Sequence, residues 1–383
     1  MTDHSDALDG PAIAPATAPA RARDLGIPFD GTPGKWNAIT DVPGVEVGYQ
    51  TLIRGESVRT GVTAIHPRGA AGAGDPVAAG FFSQNGNGEM TGLSWIEESG
   101  TFSGPVGITS THAVGVVHAG IVAWTIKHHP RLAQVWLLPV AAETWDGYLN
   151  DINGHHVTEG TAVAALEAAV SGPIAEGSVG GGTGMNCYHF KGGSGTSSRL
   201  VGYAGTDYAV GVFVQANFGN RDELTLAGVP VGRLVPADDP MADFSLAPEG
   251  SGSVIAIVGT NAPLLPGQCK ALARRVTLGL ARTGTAGSHY SGDLFLGFST
   301  GNAGAITPGA GTRAAGNTGD YDVLRFVPWG ALDPFYAAVV QATEEAVANA
   351  LAAGEDMTGR DGHRSPGLPR AQVADLFRQT RPV

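Results

Sequence analysis

The apolar positions of this chain change period several times. Strand-like runs at residues 45–49 and 60–65 follow Trp36 and are separated by Gly and Pro. Residues 111–128 then switch to helical spacing, with Val114, Val117, Ile121 and Trp124 on one side, Thr111 placed as a cap and Pro130 beyond the end. The apolar run at 134–140 predicts a buried strand, and the alanine-rich segment 159–170 predicts a helix. A long, mostly apolar strand is expected at 208–216, ending at Asn217. Residues 233–250 carry three prolines and no period, after which a strand resumes at 253–258. Leu265, Cys269, Leu272, Val276 and Leu280 mark one face of a helix, and another strand is expected at 292–298. The last long helix has Asp333 as its cap, Pro334 in the first turn and Gly354 just past the end. Alternating strands and helices indicate an α/β fold. Residues 1–23, rich in Ala, Pro and Asp without periodicity, read as a disordered tail ahead of a single domain over 24–383.

Composition narrows the function classes. The chain is 43% hydrophobic and only 15% charged over 383 residues, enough to bury a large core. Its net charge of −12 argues against a nucleic-acid partner, which requires concentrated Lys and Arg. No apolar run reaches membrane-spanning length, and the acidic N-terminus lacks an apolar signal segment, so a cytoplasmic protein is expected. Cys187 and Cys269 offer neither a disulfide framework nor a zinc signature. The adjacent pairs His128–His129 and His155–His156 have the wrong spacing for helical metal ligation. The glycine-rich stretches 180–184 and 192–195 fit neither nucleotide fingerprint and read as turns near a site. No serine lies in a G-x-S-x-G elbow.

The junction Gly250–Ser251, where the irregular stretch meets a strand, raises a chemical question. An internal serine has no attached base. A serine at a chain's N-terminus has its own α-amine nearby, with a pKa near 8, able to serve as general base. A break at Gly250–Ser251 would create such a terminus, and glycine leaves the attacked carbonyl sterically open. On these residues alone, an ordinary loop-to-strand turn remains the alternative.

Several separated segments resemble the DmpA-type aminopeptidases, which comprise the L-aminopeptidase/D-amidase-esterase group and the β-peptidyl aminopeptidases. They are residues 36–45 (WNAITDVPGV), 83–88 (SQNGNG), 104–112 (GPVGITSTH), 143–151 (ETWDGYLND), 180–184 (GGGTG), 215–219 (QANFG) and 291–293 (SGD), together with Gly250–Ser251. The resemblance implies a four-layer αββα sandwich of N-terminal-nucleophile type. It further implies a precursor that cuts itself into chains 1–250 and 251–383, and a homotetramer of the processed pairs.

Carried onto this sequence, the resemblance makes Ser251 both the self-cleaving residue and the nucleophile. Ser291 and Asp293 match the family's serine-plus-acid pair, and strand alternation puts them on one face. Asn217 and Tyr148 match oxyanion donors. Glu143 is the choice for binding a substrate ammonium, with Asp146 as runner-up. The implied substrates are small peptides, amides and esters with a free N-terminal amine, with L-, D- or β-amino acyl groups, and the implied reaction needs no metal or organic cofactor. Two alternatives differ in class. One is an acyltransferase on the related self-cleaving fold, which uses threonine at the junction; the other is an uncut, non-catalytic binding protein.

Overall fold

Strands that are apolar on both faces need cover on both sides. The computed structural model describes residues 20–242, 244, 251–308 and 321–380. In chain order its main strands are β1 (Glu46–Arg54), β2 (Val58–His66), β3 (Val77–Gly86), β4 (Thr101–Phe102), β5 (Val106–Ser110), β6 (Val140–Thr144), β7 (Gly193–Tyr203), β8 (Thr206–Asn217), β9 (Gly252–Thr260) and β10 (Ser291–Ser299). The principal helices are α1 (Val114–His128), α2 (Glu159–Glu167), α3 (Pro266–Arg282) and α4 (Asp333–Ala353). One sheet has the order β1-β2-β5-β6 and the other β4-β3-β10-β9-β8-β7.

Three apolar layers hold these elements together, and strand alternation sorts residues between them. On β9, Ile255 and Ile257 point into the space between the sheets, where they join Ile65, Ile108, Phe213 and Leu296. Their neighbours Val254, Ala256 and Val258 point the other way, among Leu272 and Val276 of α3 and Val339 and Val347 of α4. The outer face of the four-stranded sheet is covered by Val117, Ile121 and Trp124 of α1 and Leu166 of α2. The result is the four-layer αββα sandwich.

Local departures from the sequence pattern have physical causes. Arg21 to Arg23, expected in the tail, pack instead: Arg21 donates to the carbonyls of Trp36, Asn37 and Thr196, and Ala22 is fully buried. Residues 1–19 of that expected tail lie outside the described residues. The run 134–140 is not a strand before Val140; Trp136 is 70% exposed and Leu138 is 48% exposed. Thr111 does not cap α1, because a short 3-10 turn intervenes and its hydroxyl is drawn to Glu143. The 159–170 helix ends at Glu167, and Val170 pairs with Val47 instead. Leu332 occupies the cap position of α4, so Asp333 is the first helical residue, where its charge still suits the helix dipole. Gly354 follows the end of that helix as expected.

A buried ion cluster ties the chain's beginning to α4. Glu345 accepts from Arg199 Nη2 at 2.7 Å and from Arg23 Nε at 2.7 Å. Burial pushes the Glu345 carboxyl up, but the Arg23 hydrogen bond and the charges of Arg199 and Arg23 outweigh this and hold it below its ordinary value. Its ionisation therefore stabilises the fold at neutral pH, and that contribution is lost as pH falls through the folded pKa. Glu345→Gln strips the buried Arg199 of its counter-charge, which costs about 3–5 kcal/mol. Chemical denaturation at fixed protein concentration will measure the loss relative to wild type, and the difference will shrink as pH falls from the ordinary glutamate range through the lowered folded pKa.

Candidate active site

The two central strands of the larger sheet begin at the same end. β9 and β10 run parallel, with Gly252 opposite Ser291 and Val254 opposite Asp293. Ser251 immediately precedes β9, so it enters the structure beside Ser291. Gly250 lies outside the described residues. β8 runs antiparallel to β9 and places Asn217 opposite Ser253. Three sequence-predicted residues thus meet around the start of β9: Asn217, Ser291 and Asp293.

Close backbone approach demands glycine here. A Cβ on Gly252 would lie 2.6 Å from the Asn217 carbonyl oxygen, and one on Gly292 would lie 2.5 Å from that of Asn87. The glycines flanking Ser251 and Ser291 on their C-terminal sides therefore let neighbouring chain close over the sheet end.

Ser291 and Asp293 do share a face. The Ser291 hydroxyl donates to Asp293 Oδ1 at 2.5 Å, and Asn85 Nδ2 donates to Oδ2 at 2.9 Å. Burial raises the Asp293 pKa, while these two donors pull it back. With both oxygens engaged the carboxylate is fixed, and its pull leaves the Ser291 oxygen lone pairs available to a further donor. The Asp293 carboxylate reaches Ser291 directly, so the serine-plus-acid pair forms in this chain.

Asn217 is buried, and its amide has a fixed orientation. Oδ1 accepts from the Asn186 backbone N–H at 2.9 Å, leaving Nδ2 turned toward β9, 3.5 Å from Ser253 Oγ. Ser253 Oγ also accepts from the Trp145 N–H at 3.1 Å, which stitches the end of β6 to the start of β9.

The other sheet supplies the remaining residues. Glu143 is buried one residue before the end of β6, where Oε1 accepts from the Glu89 N–H at 2.9 Å and Oε2 from the Thr111 hydroxyl. Burial raises its pKa, the Thr111 and Glu89 donors oppose this, and the nearby Glu89 and Asp146 charges add to the rise. Asp146 is fully enclosed; burial pushes it to about 6, opposed by nearby polar groups that include the Ser110 hydroxyl, which donates to Oδ1 at 2.8 Å. Tyr148 is buried and stacked on His363 with ring centroids 4.7 Å apart. Its hydroxyl faces the carbonyls of Arg364 at 3.1 Å and Pro240 at 3.3 Å, and Phe244 packs edge-on against its ring. Tyr148 therefore packs against Pro240 and Phe244.

Sequence reading assigned no role to Asn85, Asn186 or Ser253. Asn85 lies within the 83–88 segment that carried part of the resemblance, so a signal existed for it; the other two had none. Among the described residues, no group of three or more His, Cys, Asp or Glu side chains could hold a metal ion. No described helix is long and apolar enough to cross a membrane.

Comparison with known proteins gives a consistent result. The sequence profile of peptidase family S58 matches residues 37–365. A β-peptidyl aminopeptidase, BapA, from Sphingosinicella microcystinivorans is 46% identical over 378 residues, covering 94% of this chain and 92% of that protein. BapA from Sphingosinicella xenopeptidilytica is 43% identical over 387 residues, covering 97% and 94%. Among solved structures, the L-aminopeptidase D-Ala-esterase/amidase of Ochrobactrum anthropi, a serine aminopeptidase with a variant of the Ntn hydrolase fold, superposes with a TM-score of 0.86. It is 44% identical, and the match covers 94% of this chain and 98% of that one. A Burkholderia sp. β-aminopeptidase gives a TM-score of 0.84 at 44% identity, covering 95% and 100%.

Proposed function

This chain belongs to peptidase family S58, and from that membership we propose that it is a self-processing serine aminopeptidase. The observation that carries the reading is the meeting of Ser251, the Ser291–Asp293 pair and Asn217 at one end of the larger sheet.

In the processing step, Ser251 Oγ attacks the Gly250 carbonyl carbon. The C–N bond breaks, an ester forms, and the hydroxyl proton ends on the freed α-amine. Water then hydrolyses the ester, leaving a carboxylate on Gly250 and a free amine on Ser251. In catalysis that amine, with an intrinsic pKa near 8, takes the hydroxyl proton as Ser251 attacks the substrate carbonyl. Asn217 Nδ2 donates to the oxyanion, and Tyr148 is the second donor once its hydroxyl turns from the backbone carbonyls. The leaving amine takes the proton and departs, and water releases the acyl group from the serine. Ser291, held by Asp293, relays hydrogen bonding to Ser251.

Glu143 receives the substrate's ammonium. Burial raises its pKa, and an ammonium beside it would counter that shift by favouring the ionised carboxylate. The similarity to β-peptidyl aminopeptidases and to an L-aminopeptidase D-Ala-esterase/amidase supports small amino-acyl peptides, amides and esters as substrates. A homotetramer of processed pairs belongs to the same reading.

The intact mass of the purified wild-type protein tests it. Two chains, 1–250 and 251–383, are expected, with serine as the N-terminal residue of the shorter. A wild type that stays whole while hydrolysing aminoacyl amides would sink the mechanism.

A further inference from the structure

Lys191 is fully buried, and among the described residues no carboxylate lies within ion-pair distance of it. Its ammonium is instead caged by backbone oxygens: Met185 at 2.7 Å, Gly192 at 3.0 Å and Gly182 at 3.4 Å. A neutral amine has two protons to give, so three carbonyl acceptors favour the charged form. Burial opposes that charge and brings the pKa down to about 7. Burying a cation without a counter-ion is ordinarily unfavourable. The cage alone gives no reason for the position to be lysine, because the Gly192 N–H already satisfies Met185 O at 2.9 Å.

The reason lies one bond further on. Met185 C=O and Asn186 N–H belong to the same peptide unit, which is trans, so they point in opposite directions. The Asn186 N–H is the donor that fixes Asn217 Oδ1 at 2.9 Å. An unbroken series therefore runs from the Lys191 ammonium through the Met185–Asn186 peptide to the Asn217 amide. Each donor in it polarises the next. The pairing of Asn186 with Lys191 and of Cys187 with Phe190 holds the two ends of the series in register.

We propose that Lys191 is a positioning residue of the oxyanion hole, acting through the Met185–Asn186 peptide to orient the Asn217 amide and strengthen Nδ2 as a donor. The inference rests on the reading of Asn217 as an oxyanion donor. A buried positive charge behind the amide also favours negative charge developing in front of it. Tyr148, the second donor, lies outside this series, so the two halves of the hole are independently supported.

A double-mutant cycle tests the proposal, with rates referred to the processed fraction measured by intact mass. Lys191→Met lowers kcat by about tenfold with KM changed less than about twofold, because the interaction matters in the transition state. In an Asn217→Ala background the same substitution costs less than about twofold further. The inhibition constant of an α-amino aldehyde, whose carbonyl carbon bonds to Ser251 Oγ while its oxygen enters the hole, rises in parallel with the loss of kcat. That of the corresponding amino alcohol, which forms no adduct, does not move.

Additive losses in the cycle, a KM rise at constant kcat, or an unchanged aldehyde constant would each overturn the proposal. If Lys191→Met lacks a cooperative melt, Lys191→Gln retains a neutral donor and should fold with an intermediate kcat. Failure of both to fold would make Lys191 purely structural and equally overturn it. Full activity in Asn217→Ala would instead remove the reading of Asn217 on which the proposal stands.

Discussion

Ser251→Ala will give a single uncut chain and a loss of kcat/KM of at least about 10⁴-fold. Two separate functions disappear with one oxygen atom. On the proposed mechanism, the hydroxyl that would attack the Gly250 carbonyl is gone, so no new N-terminus would form and the α-amine proposed as general base would stay locked in a peptide bond. The hydroxyl that would carry the acyl group is gone as well. The substitution removes little bulk at a half-exposed position ahead of β9, so the fold should survive. Intact mass, a thermal melt and hydrolysis of an aminoacyl p-nitroanilide form the decisive set. A folded, cut Ser251→Ala protein would show that the bond is broken by another agent.

Asn217→Ala will lower kcat by about 10²–10³-fold with little change in KM, the range expected when one oxyanion donor is lost. The side chain is buried at the end of β8, and its Oδ1 is locked by the Asn186 N–H, so its amide is preorganised before substrate arrives. Alanine also leaves the Asn186 N–H without its partner, which costs about 1–3 kcal/mol of stability. Asn217→Asp separates the effects: it keeps that acceptor and the shape, but replaces the donor with an acceptor of negative charge. Its kcat should therefore fall at least as far while its stability stays closer to wild type. Equal activity in Asn217→Asp and wild type would remove Asn217 from the oxyanion hole.

Much of the fold was legible because β8, β9 and β10 are covered on both faces, and continuous apolar runs such as 254–258 have few other uses. The run 134–140 shows the limit of that argument. Val135, Trp136 and Leu138 look like core on paper, yet among the described residues no element buries them and the chain there is irregular. Hydrophobicity reports what a segment could bury and is silent on whether a neighbour arrives. Arg21 and Arg23 failed in the opposite sense: polar residues beside a proline-rich stretch read as tail, but distant Glu176 and Glu345 hold them.

The site divides along the same line. Ser291 and Asp293 are two apart on a strand, so their contact follows from alternation. Asn217 at a strand end and Ser251 after an irregular stretch were visible for similar local reasons, sharpened by family resemblance. Asn85 reaches Asp293 only because β3 pairs with β10 from 208 residues away. Lys191 reaches Asn217 only through a peptide unit that a tight turn folds back upon it. Such contacts depend on long-range register, which a linear pattern does not contain.

The position of β9 and β10 carries a consequence for how the protein is made. They lie between β3 on one side and β8 on the other, so the shorter product of the proposed cut would supply the middle of a sheet whose flanks belong to the longer one. Neither product alone could complete that sheet, and four strand edges would stand unpaired. Folding of the intact precursor is a first-order event, whereas reassembly after cleavage requires two molecules to meet. The cut would thus make assembly directional: the precursor writes the topology once, and a mature enzyme that comes apart competes with aggregation to rebuild it.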